Sequence, residues 1–202
     1  MLNKLIRGAT LPIVLAAFSS ICMVTGAAAQ SSSDKTASDN SGASSSKLAA
    51  ADRQFIKKAA QGGLAEVQLG QLATEKADSP DVKQFGQKVV DDHGKANDQL
   101  KQVASNKGVT IPDKLNAKDA ATKARLEKLS GKAFERAYMR DMVVDHTKDV
   151  SEFRTESKTA KDPDVKNFAS ETLPTLQDHL KQAKSIAPKT GVKTSQASGG
   201  NQ

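Results

Sequence analysis

The sequence predicts an all-α fold, a four-helix bundle made of two helical hairpins joined by a long crossover. Apolar residues recur at three- and four-residue steps in four long segments, as on helices that face a core. No segment alternates with the period of two that a strand requires. One pattern also occurs twice, as Ser-Pro-Asp-Val-Lys-Gln-Phe at residues 79–85 and Asp-Pro-Asp-Val-Lys-Asn-Phe at residues 162–168. Each copy opens the second helix of a hairpin.

The first 29 residues have the three parts of a secretory signal peptide. Lys4 and Arg7 precede an apolar run over residues 11–24, and three alanines end at Ala29, as before a cleavage site. The run is short for a membrane span. Cleavage after Ala29 predicts an exported, periplasmic protein with no transmembrane segment. It also removes Cys22, the one cysteine of the sequence, so neither a disulfide nor a thiolate ligand is expected.

Residues 30–48 are predicted to be a disordered linker. Residues 30–46 contain eight serines and no large apolar side chain, so they cannot bury enough surface to offset the entropy lost on ordering. Residues 188–202 have a similar composition and are predicted to be a disordered tail. Between these segments, residues 49–187 form one helical domain of ordinary size for a single core.

The first hairpin is predicted to contain helices over residues 49–77 and 80–106. Two adjacent glycines, Gly62 and Gly63, lie inside the first helix. They cost stability relative to alanine, which a close approach of a neighbouring helix or a bend would explain. Ser79 is the expected N-cap of the second helix, with Pro80 at its first position. Gly108 is expected to end that helix.

The crossover is predicted to carry a short extra helix. Residues 110–112 indicate extended chain, and residues 117–129 have an amphipathic pattern with Ala121, Leu126 and Leu129 facing inward. The segment is long enough to run back along the domain. A bundle with one such crossover has the ferritin-like arrangement, among others.

The second hairpin repeats the plan of the first. Its helices are predicted over residues 132–160 and from Pro163 to about residue 187, with Asp162 as the cap of the second. Pro174 lies inside that last helix. Proline removes one backbone hydrogen bond there and is expected to kink the helix.

The three histidines of the sequence, His93, His146 and His179, fall on the apolar stripes of three different helices. If a stripe takes three positions in seven, chance places all three inward about one time in twelve. The remaining long helix offers Glu66 on the same kind of stripe. An unpaired polar group on a buried face costs free energy, so these four side chains require partners.

The helical rise places the four residues near the middle of the bundle. Glu66 and His93 each lie about 20 Å from the first turn, and His146 and His179 each lie about 25 Å from the second. The path of the crossover decides whether the two pairs lie at the same height along the bundle. If they do not, Asp149 is an alternative metal ligand. Three imidazoles and a carboxylate suit one zinc, iron, copper or nickel ion.

An aspartate precedes each histidine and is a candidate to accept a ring N–H from a histidine of the next helix. These aspartates are Asp92, Asp145 and Asp178. The function predicted from the set is non-catalytic metal sequestration or a stress role in the envelope. The alternative is a metal-free structural or interaction module whose histidines pair with aspartates. A metal-dependent oxidase is a third and weaker alternative.

The amino-acid composition argues against one class of binding partner. Lysines alternate with acidic residues along the helices, and the chain has one Tyr and no Trp. These features argue against nucleic acid, which requires a basic surface and favours stacking aromatics. An envelope protein partner and a homo-oligomer both stay open.

Four segments resemble the exported bacterial family called domain of unknown function 4142 (DUF4142). They are residues 55–66 (FIKKAAQGGLAE), 91–97 (DDHGKAN), 134–139 (FERAYM) leading to Asp145-His146, and 172–180 (TLPTLQDHL). The resemblance implies a ferritin-like fold and a periplasmic or outer-membrane location, and it defines no activity. Val90 and Leu176 stand where ferritin-like di-iron proteins carry the glutamate of Glu-x-x-His. A single-metal site is therefore favoured over a di-iron centre.

Overall fold

The computed structural model describes residues 48–193, which form five α-helices and a closing 3-10 turn and contain no strand. The helices are α1 (Ala50–Lys76), α2 (Pro80–Asn106), α3 (Ala117–Glu127), α4 (Gly131–Thr159) and α5 (Pro163–Ile186). The all-α prediction is confirmed. The predicted signal peptide (1–29), the linker (30–48) up to residue 47 and residues 194–202 of the predicted tail lie outside the described residues.

The four long helices pack as two hairpins in one bundle. α1 packs along α2 and α4 along α5, and each pair is joined by a turn of three residues. α2 also contacts α5, and α1 contacts α4, which closes the ring of four helices. α3 lies within the long crossover and contacts α1 and α4. None of the helices between residues 48 and 193 combines the length and the apolarity that crossing a bilayer requires.

The apolar core has two halves, one towards each end of the bundle. One half, around the α1–α2 turn, contains Phe85, Phe134 and Tyr138. The other, around the α4–α5 turn, contains Phe55 and Phe168. In every long helix one buried polar residue falls in the sequence interval between the two halves; these residues are Glu66, His93, His146 and His179. The polar layer therefore lies in the middle of the bundle.

Each hairpin turn is closed by a carboxylate from the other hairpin. Glu135 of α4 accepts hydrogen bonds from the backbone N–H groups of Asp78 (2.9 Å) and Ser79 (2.6 Å). Asp52 of α1 accepts from the N–H groups of Lys161 (3.0 Å) and Asp162 (2.7 Å). Both carboxylates are buried. They satisfy backbone donors that the helix starts leave free, and their charge favours the positive end of the helix dipole.

The expected capping roles of Ser79 and Asp162 have different outcomes. Ser79 occupies the N-cap position of α2 as predicted, with Pro80 after it, but its side chain makes no capping hydrogen bond. The Asp162 side chain does cap α5, accepting from the N–H groups of Asp164 and Val165. Gly108 follows α2 with a φ of 61°, a left-handed conformation that suits glycine at a helix end.

The close approach predicted at the glycine pair occurs at Gly63 only. A Cβ there would lie 2.1 Å from Asn97 Oδ1, whereas a Cβ at Gly62 would meet nothing within 4 Å. The backbones of α1 and α2 also approach closely at Gly70 and Gly86. A Cβ on Gly70 would lie 2.8 Å from the Gly86 carbonyl oxygen. Two glycines on facing stripes thus allow the hairpin to close.

Two further details concern the crossover and the chain end. Leu126 is the buried residue of α3, and Ala121 is exposed, so the inward orientation predicted for Ala121 is wrong. The first residues of the predicted tail form a 3-10 turn at Ala187–Thr190. Lys189 there pairs with Asp81 at 2.8 Å, and Val192 packs against the core half near the first turn.

Candidate metal centre

The three histidines meet in the middle of the bundle. The ring centroids are 5.7 Å apart for His93 and His146, 5.3 Å for His93 and His179, and 5.2 Å for His146 and His179. One ring nitrogen from each residue lies within 4.8 Å of the other two. His146 and His179 have no exposed surface, and His93 is 6% exposed. The crossover therefore brings the two predicted pairs to one level.

Glu66 of α1 lies against two of the three rings. Its Oε2 is 2.8 Å from His93 Nε2, and its Oε1 is 3.3 Å from His146 Nδ1. These are ion-pair distances without the direction of a hydrogen bond, since both Glu66 oxygens and His93 Nε2 have no hydrogen-bond partner among residues 48–193. A buried carboxylate in this state is costly without a nearby cation.

His146 and His179 face each other with ring nitrogens 3.2 Å apart. His146 Nδ1 lies 3.0 Å from the Met142 carbonyl oxygen, and His179 Nε2 lies 2.9 Å from Asp92 Oδ2. Because both partners only accept, we assign a proton to each of these outer nitrogens. In neutral rings the two inner nitrogens, His146 Nε2 and His179 Nδ1, then direct lone pairs towards each other. A shared proton or a metal ion would relieve that repulsion.

The electrostatics of the centre favour neutral rings at His146 and His179 and a charged carboxylate at Glu66. Burial lowers the pKa of His146, and burial also lowers the pKa of His179 to about 4 despite the hydrogen bond to Asp92. Burial alone would raise the pKa of Glu66, but positive charge on His146 and His93 lowers it to about 2. Burial opposes charge on His93 as well, but the Glu66 carboxylate outweighs it and raises the pKa of His93.

The aspartates predicted around the histidines fall in different places. Asp92 is half-buried and accepts from His179 and also from Lys88 Nζ at 2.8 Å. Asp178 is exposed, accepts from Gln182, and contacts no histidine. Among residues 48–193, no hydrogen bond or ion pair joins Asp145 or Asp149 to a histidine, and both border a cleft. The structure therefore joins Asp92 alone of the three preceding aspartates to a histidine.

Asp145 and Asp149 have strongly raised pKa values. Burial and the negative charge of Glu66 raise the pKa of Asp149 to about 8 and that of Asp145 to about 6. Neither forms an ion pair within residues 48–193.

Sequence reasoning missed three residues that position the histidines. Lys88 holds Asp92, and its position four residues earlier on the same helix was a readable signal. The Met142 carbonyl fixes the ring of His146, which no side-chain pattern reveals. Phe85, the last residue of the first repeated pattern, packs its ring 6.2 Å from those of both His146 and His179.

The fold and the centre together define a ferritin-like helical bundle with a buried cluster of three histidines. The family described as domain of unknown function (DUF4142) matches residues 37–186, and the chain belongs to that family. Among curated proteins, none matches the chain by sequence.

Solved structures with a similar fold include a DUF305 fragment from Deinococcus radiodurans, which is 16% identical with a TM-score of 0.62. The match covers 70% of this chain and 98% of that chain. A DUF305 protein from Streptomyces coelicolor is 15% identical, with a TM-score of 0.62 and coverage of 71% and 94%. CopM in the Cu(I)-bound form is 17% identical, with a TM-score of 0.57 and coverage of 68% and 96%. At sequence identities of 15–17%, these similarities show that the fold is shared and nothing further.

Proposed function

We propose that the chain binds one transition metal ion at His93, His146 and His179, and that it sequesters this ion. Glu66 supplies negative charge and a fourth donor. The observation that carries the proposal is the pair of ring nitrogens 3.2 Å apart at His146 and His179, beside a buried carboxylate whose oxygens lack hydrogen-bond partners. A cation among these atoms removes both costs together.

The donor set favours a borderline or soft metal. Imidazole nitrogen suits zinc, copper, iron and nickel, and hard cations prefer sites built of oxygen. Copper is the first candidate, because the structural neighbour CopM was crystallised with Cu(I), Cu(II) and Ag. Val90 and Leu176 leave too few carboxylates in the core for a di-iron centre.

Retention of an ion suits this centre better than catalysis. His146 and His179 are fully buried, and their outer nitrogens are held by Met142 and Asp92. Protein ligands on all four long helices surround the ion, as in closed structural sites, whereas catalytic sites keep a position open for substrate. The proposed role is therefore sequestration.

The location we propose is the periplasm, with association to the outer membrane left open. The support is the charged start, apolar run and alanine triplet of residues 1–29. Cleavage after Ala29 would leave a serine-rich linker over residues 30–48 ahead of the helical domain. In that compartment the bundle would hold metal that enters the envelope.

Metal content tests the proposal. Untagged protein beginning at Gln30 is loaded with Cu²⁺, freed of excess ion and measured by elemental analysis. We expect one copper per chain, and we expect His93→Gln and His179→Gln to lose it. Asp178→Asn is the matched control, since Asp178 neighbours His179 in sequence but is exposed and contacts no histidine. Absence of stoichiometric metal in the unaltered chain would refute the proposal.

A metal-free structural or interaction module is the second candidate. It is favoured by the outer partners of His146 and His179, because a single proton shared between the inner nitrogens would then satisfy both rings. Under this alternative the two glutamine variants change stability and leave metal content at background. The elemental analysis therefore separates the two candidates.

A further inference from the structure

We infer that the metal ion reaches the histidines through one cleft between α1, α3 and α4, where Asp145 and Asp149 capture it. This inference rests on the proposed metal binding. It assigns a role to two carboxylates that belong to no ion pair and to the crossover helix that stands beside them.

The cleft joins the protein surface to one side of the centre. It has a volume of about 440 Å³, and Glu66 and His93 border it, whereas His146 and His179 do not. An arriving ion therefore meets Glu66 and His93 first. The atoms of the centre that lack a hydrogen-bond partner, both Glu66 oxygens and His93 Nε2, belong to these two residues.

The inner cleft carries carboxyl groups that can bind a cation. Asp145 and Asp149 lie one helical turn apart on α4, so they share a face of that helix. No other side chain among residues 48–193 forms an ion pair with either. Together with Glu66 they place three acidic side chains around the cleft. Carboxyl oxygens are ligands for metal ions, and one of these groups, Glu66, is almost fully buried and has no hydrogen-bond partner.

The basic residues that border the cleft form no ion pair with Asp145 or Asp149. Arg125 pairs with Asp141, and Lys148 pairs with Glu152 at 3.8 Å. The two other basic residues that border the cleft are exposed; they are Lys58 and Lys118. The positive groups thus lie at the mouth or in pairs, and none of these four basic residues forms an ion pair with Asp145, Asp149 or Glu66.

A second, smaller cleft between α2 and α5 is the competing route. It has a volume of about 190 Å³ and also borders His93. Its buried-side carboxylate, Asp92, is already bound to Lys88 and His179, and Glu171 there is exposed. The larger cleft therefore offers partly buried carboxyl groups that form no ion pair, whereas the free carboxylate of the smaller one is exposed.

Obstruction of the cleft is the test. Gly62 borders it, and a Cβ at Gly62 meets nothing within 4 Å, so Gly62→Leu extends a side chain into the cleft without a clash at Cβ. Gly94→Leu is the matched control, because Gly94 is a helical glycine with the same free space and borders neither cleft. Thermal melts verify that both variants fold.

Stopped-flow mixing with Cu²⁺ and release to excess EDTA give the two rates. A blocked route slows binding and release alike, so we expect both rates of Gly62→Leu to fall about ten-fold, a barrier increase of about 1.4 kcal/mol, with an unchanged Kd. Gly94→Leu should keep both rates. Equal rates in all three proteins would overturn the inference, while stoichiometric copper in them would leave metal binding intact. No copper in any of them would overturn metal binding itself and this route with it.

Replacing the two carboxyl groups is an independent second test. The double variant Asp145→Asn, Asp149→Asn should bind Cu²⁺ more slowly, because it removes the oxygen ligands that capture the ion. Glu171→Gln in the smaller cleft is the control and should keep the unaltered rate. A slow Glu171→Gln with a normal double variant would assign the route to the smaller cleft and overturn ours.

Discussion

His179 Nε2 lies 2.9 Å from Asp92 Oδ2, and this contact determines which nitrogen of His179 faces the centre of the bundle. With the outer nitrogen donating to the carboxylate, Nδ1 is left as the inner lone pair. Lys88 holds the same carboxylate oxygen at 2.8 Å. The orientation of a fully buried ring is thus set from a half-buried residue on the neighbouring helix.

Replacing Asp92 tests this orientation. In Asp92→Asn the amide can present its NH2 group to His179, so the ring loses a charged acceptor and its preference for one tautomer. Loss of such outer partners costs about 10- to 100-fold in metal affinity, and we expect a fall in that range. Competition with a chromophoric chelator measures it. Asp91→Asn is the control and should keep the unaltered affinity, because Asp91 is exposed and its side chain bonds to Gln87. An equal fall in both variants would contradict a specific role for Asp92.

Stability of the metal-free protein should depend on pH through Asp149. Its pKa is raised in the folded state, by burial and Glu66, from 3.8 to about 8. The folded state therefore holds a proton that the unfolded state releases. Stability is unaffected by this group below pH 4 and falls as the pH rises from about 4 to about 8, by at most about 1.4 kcal/mol per unit.

The variant Asp149→Asn removes this dependence, so it should gain stability over the unaltered protein at pH 8 and match it near pH 4. Urea unfolding of both proteins at the two pH values measures the difference. A constant difference between the proteins across that range would contradict the raised pKa.

Close packing at Gly70 and Gly86 should make both positions intolerant of alanine. The new Cβ would lie 2.8 Å from the Gly86 oxygen in Gly70→Ala, and 2.8 Å from the Ala73 Cβ in Gly86→Ala. Overpacking of this kind costs about 1–3 kcal/mol. Gly62→Ala is the control and should instead stabilise α1 by about 0.5–1 kcal/mol, because its Cβ meets open space. Urea unfolding measures both, and equal effects at Gly62 and Gly70 would contradict the packing.

The cross-hairpin caps should contribute to stability at both ends of the bundle. Glu135→Ala leaves the N–H groups of Asp78 and Ser79 without their acceptor, which costs about 1–3 kcal/mol. Asp52→Ala should cost a similar amount at the other turn. Ser79→Ala should cost little, because the Ser79 side chain makes no cap. If Ser79→Ala were as damaging as Glu135→Ala, the assignment of the cap to Glu135 would be wrong.

Much of this fold was predictable from local pattern. Proline at the first helical position and apolar periodicity placed α2 at residues 80–106, as observed. The same periodicity placed the three histidines and Glu66 on buried faces, which the structure confirms. When a short turn joins two helices, the helical rise alone predicts which of their residues lie at the same height along the bundle.

Other features depend on contacts that local pattern does not contain. The path of the crossover places the Glu66–His93 pair and the His146–His179 pair at the same height along the bundle. The crossover carries little apolar surface, so its path has a weak signal in the sequence. The capping of the first turn comes from Glu135, more than fifty residues away in sequence. Ala121 has a helical position that suggested burial, but α3 lies on the outside of the bundle and buries only Leu126.

Pulsed electron paramagnetic resonance of the Cu²⁺-loaded mature protein tests the central claim most directly, because it counts the imidazoles coupled to the bound ion. We predict modulation from more than one histidine in the unaltered chain, reduced in His146→Gln and preserved in Asp178→Asn. A spectrum with no imidazole modulation, or one that His146→Gln leaves unchanged, would contradict a metal centre at these three histidines.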